Sequence, residues 1–381
     1  MQPIVIIGSG LAGYTLAREI RKRDKVTPIT IITADNGAFY SKPNLSNALA
    51  QGKTPEQLAS ATAEKMAADL NAEIQVHRQV SAIDRTRKIV KTDHGDVPYS
   101  KLVLALGADP FAHGLTGSGS GLVMSVNDLA DYTKFRIALS GKKQVIVLGG
   151  GLIGCEFAHD LSHVGYQVEV IHPGSWPLER LVPEAVGQAL VNALEQKGVH
   201  WHFNRRAESV EKEPMGLRVI LDNGQAIKGD MMLSAIGLKP RTTLAREAGI
   251  AVKRGITVNR QLASSDPDIY AIGDCAEVDG HVLPFVQPLM QQARALAATL
   301  AGEPTNVTYP AMPVVVKTPS YPLAVLPPPP GIEGSWQVAS GEAGICALNQ
   351  DGSGGLLGFA LSGNRAAERG KFALQAPALL P

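Results

Sequence analysis

Short runs of aliphatic and β-branched residues recur along the chain and predict buried strands. The run at residues 4–13 passes through a glycine-rich turn into a helical segment, and residues 144–154 repeat this order. Apolar strands at 101–108 and 231–238 also stop at a glycine, and residues 74–83 predict a strand with its extension. Strands and helices that alternate in this way predict an α/β fold with parallel sheets.

The first run leads directly into a Gly-x-Gly-x-x-Gly motif. Such a turn binds the pyrophosphate of a dinucleotide: Gly8 permits the tight turn, Gly10 lets the backbone approach the ligand, and Gly13 lets the helix pack on the strand. The N–H groups at the helix start favour the anion. The next strand ends near Asp35, where such a unit places an acid on the adenosine ribose. We therefore predict a dinucleotide site at the start of the chain.

The second copy of the motif has Gly149, Gly151 and Gly154 at the three glycine positions. Two motifs, each in a complete strand, turn and helix, predict two dinucleotide sites. The strand after the second motif ends at His172, where an acid would commonly hold the ribose of NAD, and no arginine follows directly. This position weakens the case for NADH and gives no positive indication of NADPH.

Residues 268–277 predict a buried strand that presents Asp274 at its carboxyl edge, where open α/β sheets bind ligands. A long helix follows at about 287–300. From about residue 308 the chain becomes proline-rich, with short strands that predict a third, smaller domain with an antiparallel sheet. The loop at 114–121 is rich in glycine and serine and predicts a linker.

Composition narrows the function classes. The 381 residues predict two or three domains, and the formal net charge of +1 gives no reason to expect nucleic acid or an acidic membrane as the main partner. No run is long enough for a membrane span and no secretory leader is recognisable, so we expect a cytoplasmic protein. The three cysteines are far apart, which argues against a disulfide framework, a zinc site and a local redox disulfide.

Two dinucleotide sites in one chain are most simply explained by electron relay, in which a nicotinamide delivers hydride to a flavin. The two glycine motifs and residues 269–277 together resemble the two-dinucleotide-domain flavoprotein reductases, over the whole chain. Finer details at 40–43, 155–157, 273–278 and 313–319 resemble the bacterial rubredoxin reductases of alkane-oxidising systems, with the flavorubredoxin reductases as close relatives.

The resemblance implies an α/β fold with two Rossmann-like dinucleotide-binding domains, for FAD and NAD, and a small C-terminal α+β domain. In that family the NAD domain is inserted into the FAD domain. We therefore expect the FAD domain at 1–113 and 235–308, the NAD domain at 114–234 and the C-terminal domain at 309–381. FAD is then expected to contact Gly8, Gly10, Leu11, Ala12, Gly13, Asp35 and Asp274, and the nicotinamide dinucleotide to contact Gly149, Gly151 and Gly154.

The resemblance also implies that Lys42, Glu156 and Lys317 lie near the flavin ring as catalytic and cofactor-binding residues. A lysine there would stabilise negative charge on the reduced flavin, and Glu156 can pair with a lysine while it orders the nicotinamide pocket. The residues by themselves favour a different interpretation, with two exposed loop lysines and a carboxylate on a helix surface. Cys155 and Cys275 are expected to be buried packing residues.

The activity implied by the resemblance is that of an FAD-dependent NADH:rubredoxin oxidoreductase that serves alkane hydroxylation. Disulfide reductases of the family have a close cysteine pair near the flavin, and this chain has none there, so electrons would pass from the flavin directly to rubredoxin. Rubredoxins are acidic, so basic residues should line the docking face, with Lys42 and Lys317 as candidates. The residues leave open reduction of a ferredoxin or flavorubredoxin, an NADH oxidase, and a non-enzymatic NAD(H)/FAD sensor.

Overall fold

The first half of the chain contains the two glycine motifs at the starts of two helices. A computed structural model describes residues 2–381. The elements before the second motif are β1 (Ile4–Ile7), α1 (Leu11–Arg23), β2 (Ile29–Ile32), a 3-10 helix (Lys42–Asn47), α2 (Pro55–Leu58), α3 (Ala63–Leu70), β3 (Glu73–Gln75), β4 (Val80–Asp84), β5 (Ile89–Thr92), β6 (Gly95–Pro98), β7 (Lys101–Leu104), β8 (Ala108–Pro110), a 3-10 helix (Ser120–Leu122) and α4 (Leu129–Ala138). The second motif and its unit then follow as β9 (Gln144–Leu148), α5 (Leu152–His163), β10 (Gln167–His172), α6 (Glu184–Glu195), β11 (Val199–Phe203), β12 (Ala207–Glu213), β13 (Gly216–Leu221), β14 (Ala226–Gly229) and β15 (Met231–Ser234).

The remaining elements return to the first unit and then form the C-terminal unit. The returning elements are β16 (Leu238–Pro240), α7 (Thr243–Glu247), β17 (Ile256–Val258), β18 (Ile269–Ala271), a 3-10 helix (Gly273–Cys275), β19 (Ala276–Val278) and α8 (Val286–Leu300). The C-terminal elements are β20 (Val314–Val316), β21 (Leu323–Leu326), β22 (Ser335–Gly341), β23 (Gly344–Gln350), β24 (Leu356–Ser362), a 3-10 helix (Gly363–Glu368) and α9 (Arg369–Ala373).

The first motif stands at the centre of a five-stranded parallel sheet with the order β18-β7-β1-β2-β3. All four residues of β1 are buried between its two neighbours, as expected of an aliphatic strand in the middle of a parallel sheet. Strand β18 is more than 160 residues away from β7 in the sequence but pairs with it in register, Ile269 opposite Leu102. The sheet that begins at residue 4 is therefore completed only after the second motif.

The second motif stands in a four-stranded parallel sheet with the order β11-β10-β9-β15. A three-stranded antiparallel sheet of β12, β13 and β14 is attached to this unit. Two chain segments link it to the first unit, and their strands β8 and β16 pair with each other. The carboxyl ends of each parallel sheet therefore present a glycine turn and its helix start, where ligands bind in such folds.

The C-terminal unit is an antiparallel sheet with the order β20-β21-β24-β23-β22, so the predicted antiparallel sheet is confirmed. Its buried residues Val316, Leu323 and Val325 belong to one apolar core with Cys155 and Phe157 of α5. The predicted class, two Rossmann-like units plus a small α+β unit, is confirmed. No helix among residues 2–381 is both long and apolar enough to cross a bilayer.

One predicted element was wrong in detail. Residues 74–83 do not form one extended strand: β3 belongs to the parallel sheet, and β4 belongs to an antiparallel sheet with β5 and β6. His77 lies between them with a φ of 52°, a left-handed conformation that no strand accommodates. The alternating composition of this segment does not reveal that break.

Candidate functional site

The first glycine turn is packed tightly where the protein needs it and is open where a ligand would approach. A side chain at position 8 would overlap the carbonyl of Ala105 at the end of β7, and Gly8 also has a φ of 113°. A side chain at position 13 would overlap the carbonyl of Gly8. At Gly10, by contrast, a Cβ would meet no atom within 4 Å. The protein's own packing therefore does not require glycine at position 10, and approach of a ligand explains its presence.

A carboxylate stands on each side of this turn. Oδ1 of Asp35 accepts hydrogen bonds from Thr33 Oγ1 at 2.7 Å, from the Gly37 N–H at 2.9 Å and from Ser9 Oγ at 3.2 Å. Ser9 is part of the turn itself, so these bonds fix the acid beside it. Asp35 is nevertheless exposed, so its carboxylate is accessible to a ligand.

Asp274 lies on the other side, at the carboxyl end of β18. The adjacent Gly273 packs so closely on helix α1 that a Cβ there would lie 2.9 Å from Cβ of Ala12. No group within residues 2–381 donates a hydrogen bond to the Asp274 carboxylate. Burial raises the pKa of Asp274, and the charge of Lys42 offsets part of this rise.

Lys42 faces the same space from the 3-10 helix that it begins. Its Nζ donates a 2.6 Å hydrogen bond to Oδ1 of Asn127, and Asn127 in turn donates to the Ala108 carbonyl. Burial lowers the pKa of Lys42, whereas Asp274 raises it. Glu156, which is expected to pair with one of the two lysines, is not bonded to Lys42. The residues alone did not reveal Asn127, because it carries no motif and lies 85 residues from Lys42.

Open space before Gly10, the start of α1 behind it, and a carboxylate on each side fit a flavin dinucleotide with its pyrophosphate on the turn. The Asp274 carboxylate without a partner is suited to hydroxyl groups of such a ligand. Lys42 would add a positive charge beside it. When bound, FAD would supply hydride acceptance and the release of single electrons.

The second turn repeats the packing of the first. A side chain at position 149 would lie 2.7 Å from the carbonyl of Ala235, at the end of β15, and one at position 154 would overlap the carbonyl of Gly149. At Gly151 a Cβ would meet nothing within 4 Å. The correspondence with Gly8, Gly13 and Gly10 is complete, so the same reasoning predicts a pyrophosphate at the start of α5.

Glu156 joins three parts of the chain at one buried carboxylate. It lies on α5 and is 3% exposed. Its Oε2 accepts from Ser46 Oγ at 2.6 Å and pairs with Lys317 Nζ at 2.5 Å, and its Oε1 accepts from the Lys317 N–H at 3.1 Å. Lys317 is therefore not a free loop lysine, and Glu156 is not a surface carboxylate. The interpretation that the residues favour without the resemblance was wrong for both. Ser46 and Lys317 belong to the first unit and to the C-terminal unit, so this contact connects all three.

Two further side chains of α5 strengthen the junction, and neither was singled out from the sequence. Asp160 is fully buried and accepts from the Ala50 and Leu49 N–H groups at 2.7 and 3.1 Å. Burial raises the pKa of Asp160 to about 6. His159 is 1% exposed, and its Nε2 lies 2.6 Å from Ser320 Oγ. Their spacing on α5 places them on the face that also carries Glu156.

The buried His159 predicts a specific acid sensitivity. Burial, with smaller effects of His163 and Lys197, lowers the pKa of His159 to about 4. Because the unfolded chain binds a proton near pH 6.5 and the folded chain does not, stability is lost as the pH falls from 6.5 towards 4. We expect the free energy of unfolding to decrease by about 2 kcal/mol more between pH 7 and pH 5 in the native chain than in His159→Gln. Urea denaturation at the two pH values measures this, and equal decreases would contradict the assignment.

The comparisons with known proteins agree with this geometry. The chain matches the pyridine nucleotide-disulphide oxidoreductase family over residues 2–298 and the rubredoxin binding C-terminal domain over residues 306–376. It is 49% identical to the rubredoxin-NAD(+) reductase of Alcanivorax borkumensis, with all of both chains covered. It is 47% identical to the rubredoxin-NAD(+) reductase of Acinetobacter baylyi, covering 100% of this chain and 98% of the relative. Identity to the nitric oxide reductase FlRd-NAD(+) reductase of Vibrio vulnificus is 41%, over 95% of this chain and 94% of the relative.

Solved structures share the whole architecture. A ferredoxin reductase from Rhodopseudomonas palustris superposes with a TM-score of 0.89 at 27% identity, covering 99% of this chain and 96% of that one. The putidaredoxin reductase-putidaredoxin complex gives a TM-score of 0.88 at 25% identity, with 99% and 94% covered. The fold, the two glycine turns and the full-length identity lead to the same conclusion. The chain belongs to the pyridine nucleotide-disulphide oxidoreductase family, with FAD and NAD(H) as its cofactors.

Proposed function

We propose that the chain is an FAD-dependent NADH:rubredoxin oxidoreductase that takes hydride from NADH and passes single electrons to rubredoxin. The observation that carries this proposal is the match of residues 306–376 to the rubredoxin binding C-terminal domain, in a chain 49% identical throughout to a rubredoxin-NAD(+) reductase. The cysteines support direct electron transfer. Cys155, Cys275 and Cys346 are all free and buried, and burial raises the pKa of each thiol, which disfavours the thiolate that a relay would need.

The residues of the site would have separate tasks. The turn at Gly10 and the acids Asp35 and Asp274 would hold FAD, with Leu11 and Ala12 at the helix start, and the turn at Gly151 would hold the pyrophosphate of NADH. Lys42 and Lys317 would place positive charge where negative charge develops on reduction. Glu156 would fix Lys317 by its two hydrogen bonds and the ion pair.

We propose the domain bounds 1–113 and 235–308 for the FAD domain, 114–234 for the NAD domain and 309–381 for the C-terminal domain. The return of β18 to the first sheet and the pairing of β8 with β16 support an insertion of the second unit into the first. The Glu156 junction supports a function for the C-terminal unit next to both dinucleotide sites.

Anaerobic stopped-flow spectroscopy tests the proposed activity. NADH should bleach the flavin absorbance within the time of turnover, and addition of oxidised rubredoxin should restore it while two rubredoxins are reduced for each NADH. Because encounter with an acidic partner is steered by charge, the rate constant for rubredoxin reduction should fall with rising salt while bleaching by NADH changes little. Bleaching without rubredoxin reduction would contradict the proposal. Rapid oxygen uptake without a partner would indicate an oxidase, and absence of bleaching would indicate a sensor.

A flavorubredoxin reductase is the second candidate, favoured by the 41% identity to the Vibrio vulnificus relative. The same measurement with a flavorubredoxin in place of rubredoxin distinguishes the two, since the better acceptor has the larger second-order rate constant.

We propose alkane hydroxylation as the process served, on the resemblance to reductases of alkane-oxidising systems. Reconstitution with an alkane hydroxylase and rubredoxin tests it. We also propose a cytoplasmic location, which the three unpaired cysteines support.

A further inference from the structure

The second dinucleotide unit has no acid at the end of its second strand. Strand β10 ends at His172, next to the glycine turn that follows β9. A carboxylate at this place commonly accepts hydrogen bonds from the ribose hydroxyls of NAD and repels the 2′-phosphate of NADP. The residue that distinguishes the two nucleotides is therefore not evident from the motif. The inference below rests on the proposed use of NADH.

His172 is already bound to the turn. Its Nδ1 accepts a 3.1 Å hydrogen bond from the Gly150 N–H, and the imidazole is only 9% exposed. A Cβ at position 150 would lie 3.0 Å from the ring, so the two residues fit each other closely. Burial lowers the pKa of His172, while Glu179 and the Trp176 backbone oppose this effect. The ring therefore supports the turn and offers no acceptor to a ribose.

A carboxylate from the following loop lies against the residues that come directly after His172. Glu179 Oε2 accepts a 3.2 Å hydrogen bond from the Ser175 N–H. The carboxyl group is so close to Gly174 that a Cβ there would overlap both of its oxygens. Its charge also reaches the His172 ring, since it raises the pKa of that histidine. The acid that the strand end lacks is thus present in space, seven positions later in sequence.

The loop is held in this shape by the glycine turn itself. Leu178 has a left-handed φ of 59° and is 3% exposed. Its N–H donates a 2.9 Å hydrogen bond to the Gly150 carbonyl. A non-glycine residue rarely adopts this conformation, and here the bond to the turn and the burial of its side chain hold it. The N–H and the carbonyl of Gly150 are therefore both hydrogen-bonded, to His172 and to Leu178. This arrangement directs Glu179 back towards the end of β10.

We propose that Glu179 is the specificity-determining residue of the second site: it accepts hydrogen bonds from the adenosine ribose hydroxyls and excludes a 2′-phosphate. A half-buried carboxylate beside an anion would repel it, and a ribose hydroxyl would donate to it. Arg180 is adjacent and exposed, and a positive side chain could instead bind the 2′-phosphate. The contacts with Gly174 and Ser175 place the Glu179 carboxylate, and not the Arg180 side chain, next to the end of β10.

Calorimetric titration of the oxidised, FAD-loaded protein with NAD+ and with NADP+ tests this without turnover. The native chain should bind NAD+ more tightly than NADP+. In Glu179→Gln the affinity for NAD+ should fall about tenfold, because a neutral amide accepts a hydrogen bond less strongly than a carboxylate does, and NADP+ affinity should not fall. The matched control Glu184→Gln, an exposed glutamate five positions on, should leave both affinities unchanged.

Two further variants decide between the residues of this corner. His172→Asn, which retains an acceptor for the Gly150 N–H, should leave the ratio of the two affinities unchanged, and so should Arg180→Gln. An unchanged ratio in Glu179→Gln, or a ratio that shifts only in His172→Asn or Arg180→Gln, would overturn the proposal. Because rubredoxin takes no part in the titration, failure of electron transfer to rubredoxin would leave this result intact.

Discussion

Gly151→Ala is expected to give a folded, yellow protein that has largely lost its affinity for NADH. Gly151 has a φ of −80°, which alanine adopts without strain, and its Cβ would meet no protein atom within 4 Å. The methyl group would occupy the space where the pyrophosphate must approach the start of α5. Loss of two backbone hydrogen bonds to a charged group corresponds to about 3 kcal/mol, or roughly a hundredfold weaker NADH binding. Flavin absorbance and a NADH titration under anaerobic conditions measure the two properties separately.

Gly10→Ala is the counterpart at the first turn. Because Gly10 also faces open space, this variant should lose its affinity for the flavin and keep that for NADH. Gly121→Ala is the control, because Gly121 likewise has no atom within 4 Å of its Cβ but lies outside both turns. If Gly151→Ala bound NADH normally, or lost flavin instead, the assignment of the second turn to the nicotinamide dinucleotide would be wrong. Gly154→Ala, where the overlap is with the Gly149 carbonyl, should instead impair folding.

Lys317→Met is expected to destabilise the protein by about 3 kcal/mol, because it leaves the carboxylate of Glu156 buried without its countercharge. Glu156 is 3% exposed, so water cannot replace the lysine, and Ser46 and the Lys317 N–H supply only neutral donors. We also expect slower reduction of the flavin by NADH, with NAD+ affinity largely intact, since the proposed place of the lysine is beside the flavin and not at the pyrophosphate. Urea denaturation and anaerobic stopped-flow spectroscopy measure the two effects.

The double variant Lys317→Met with Glu156→Gln separates an ion pair from simple packing. Removal of both charges should recover much of the lost stability, because the amide oxygen can still accept from the backbone N–H and the amide NH2 can donate to Ser46 Oγ. The control Lys371→Met removes an exposed lysine of the same C-terminal unit and should change stability by less than about 0.5 kcal/mol. Equal destabilisation in Lys317→Met and the double variant would show that the charge of Glu156 needs no partner.

The local motifs were predictable because their requirements lie within a few residues. At Gly13 and Gly154 a Cβ would overlap the carbonyl five residues earlier, so this requirement arises within the strand, turn and helix themselves. Gly8 and Gly149 have a positive φ set by the turn, and they also face the carbonyls of distant strands. The strands at residues 4–7 and 144–148 were likewise predicted from composition alone. The break at His77 was not, because a left-handed residue between two short strands leaves no mark in an alternating pattern.

The partners of the charged residues could not be predicted from the chain itself. Glu156 and Lys317 are separated by 161 residues, and Lys42 and Asn127 by 85, so nothing local indicates that they meet. The resemblance to a family implied that three of these residues lie near the flavin, and the structure shows which of them are bonded to each other. The roles of Ser46, His159 and Asp160 depend on the packing of α5 against two other units, which no local pattern indicates.

The sequence by itself therefore determined two dinucleotide turns, the class of the fold and, through resemblance, the flavoprotein family. Those features follow from the sterics of a strand, a turn and a helix, which are set by adjacent residues. The tertiary structure decided that Lys317 and not Lys42 pairs with Glu156, and that the carboxylate near His172 comes from Glu179. A charged side chain finds its partner through the packing of whole units, and that packing depends on the entire chain.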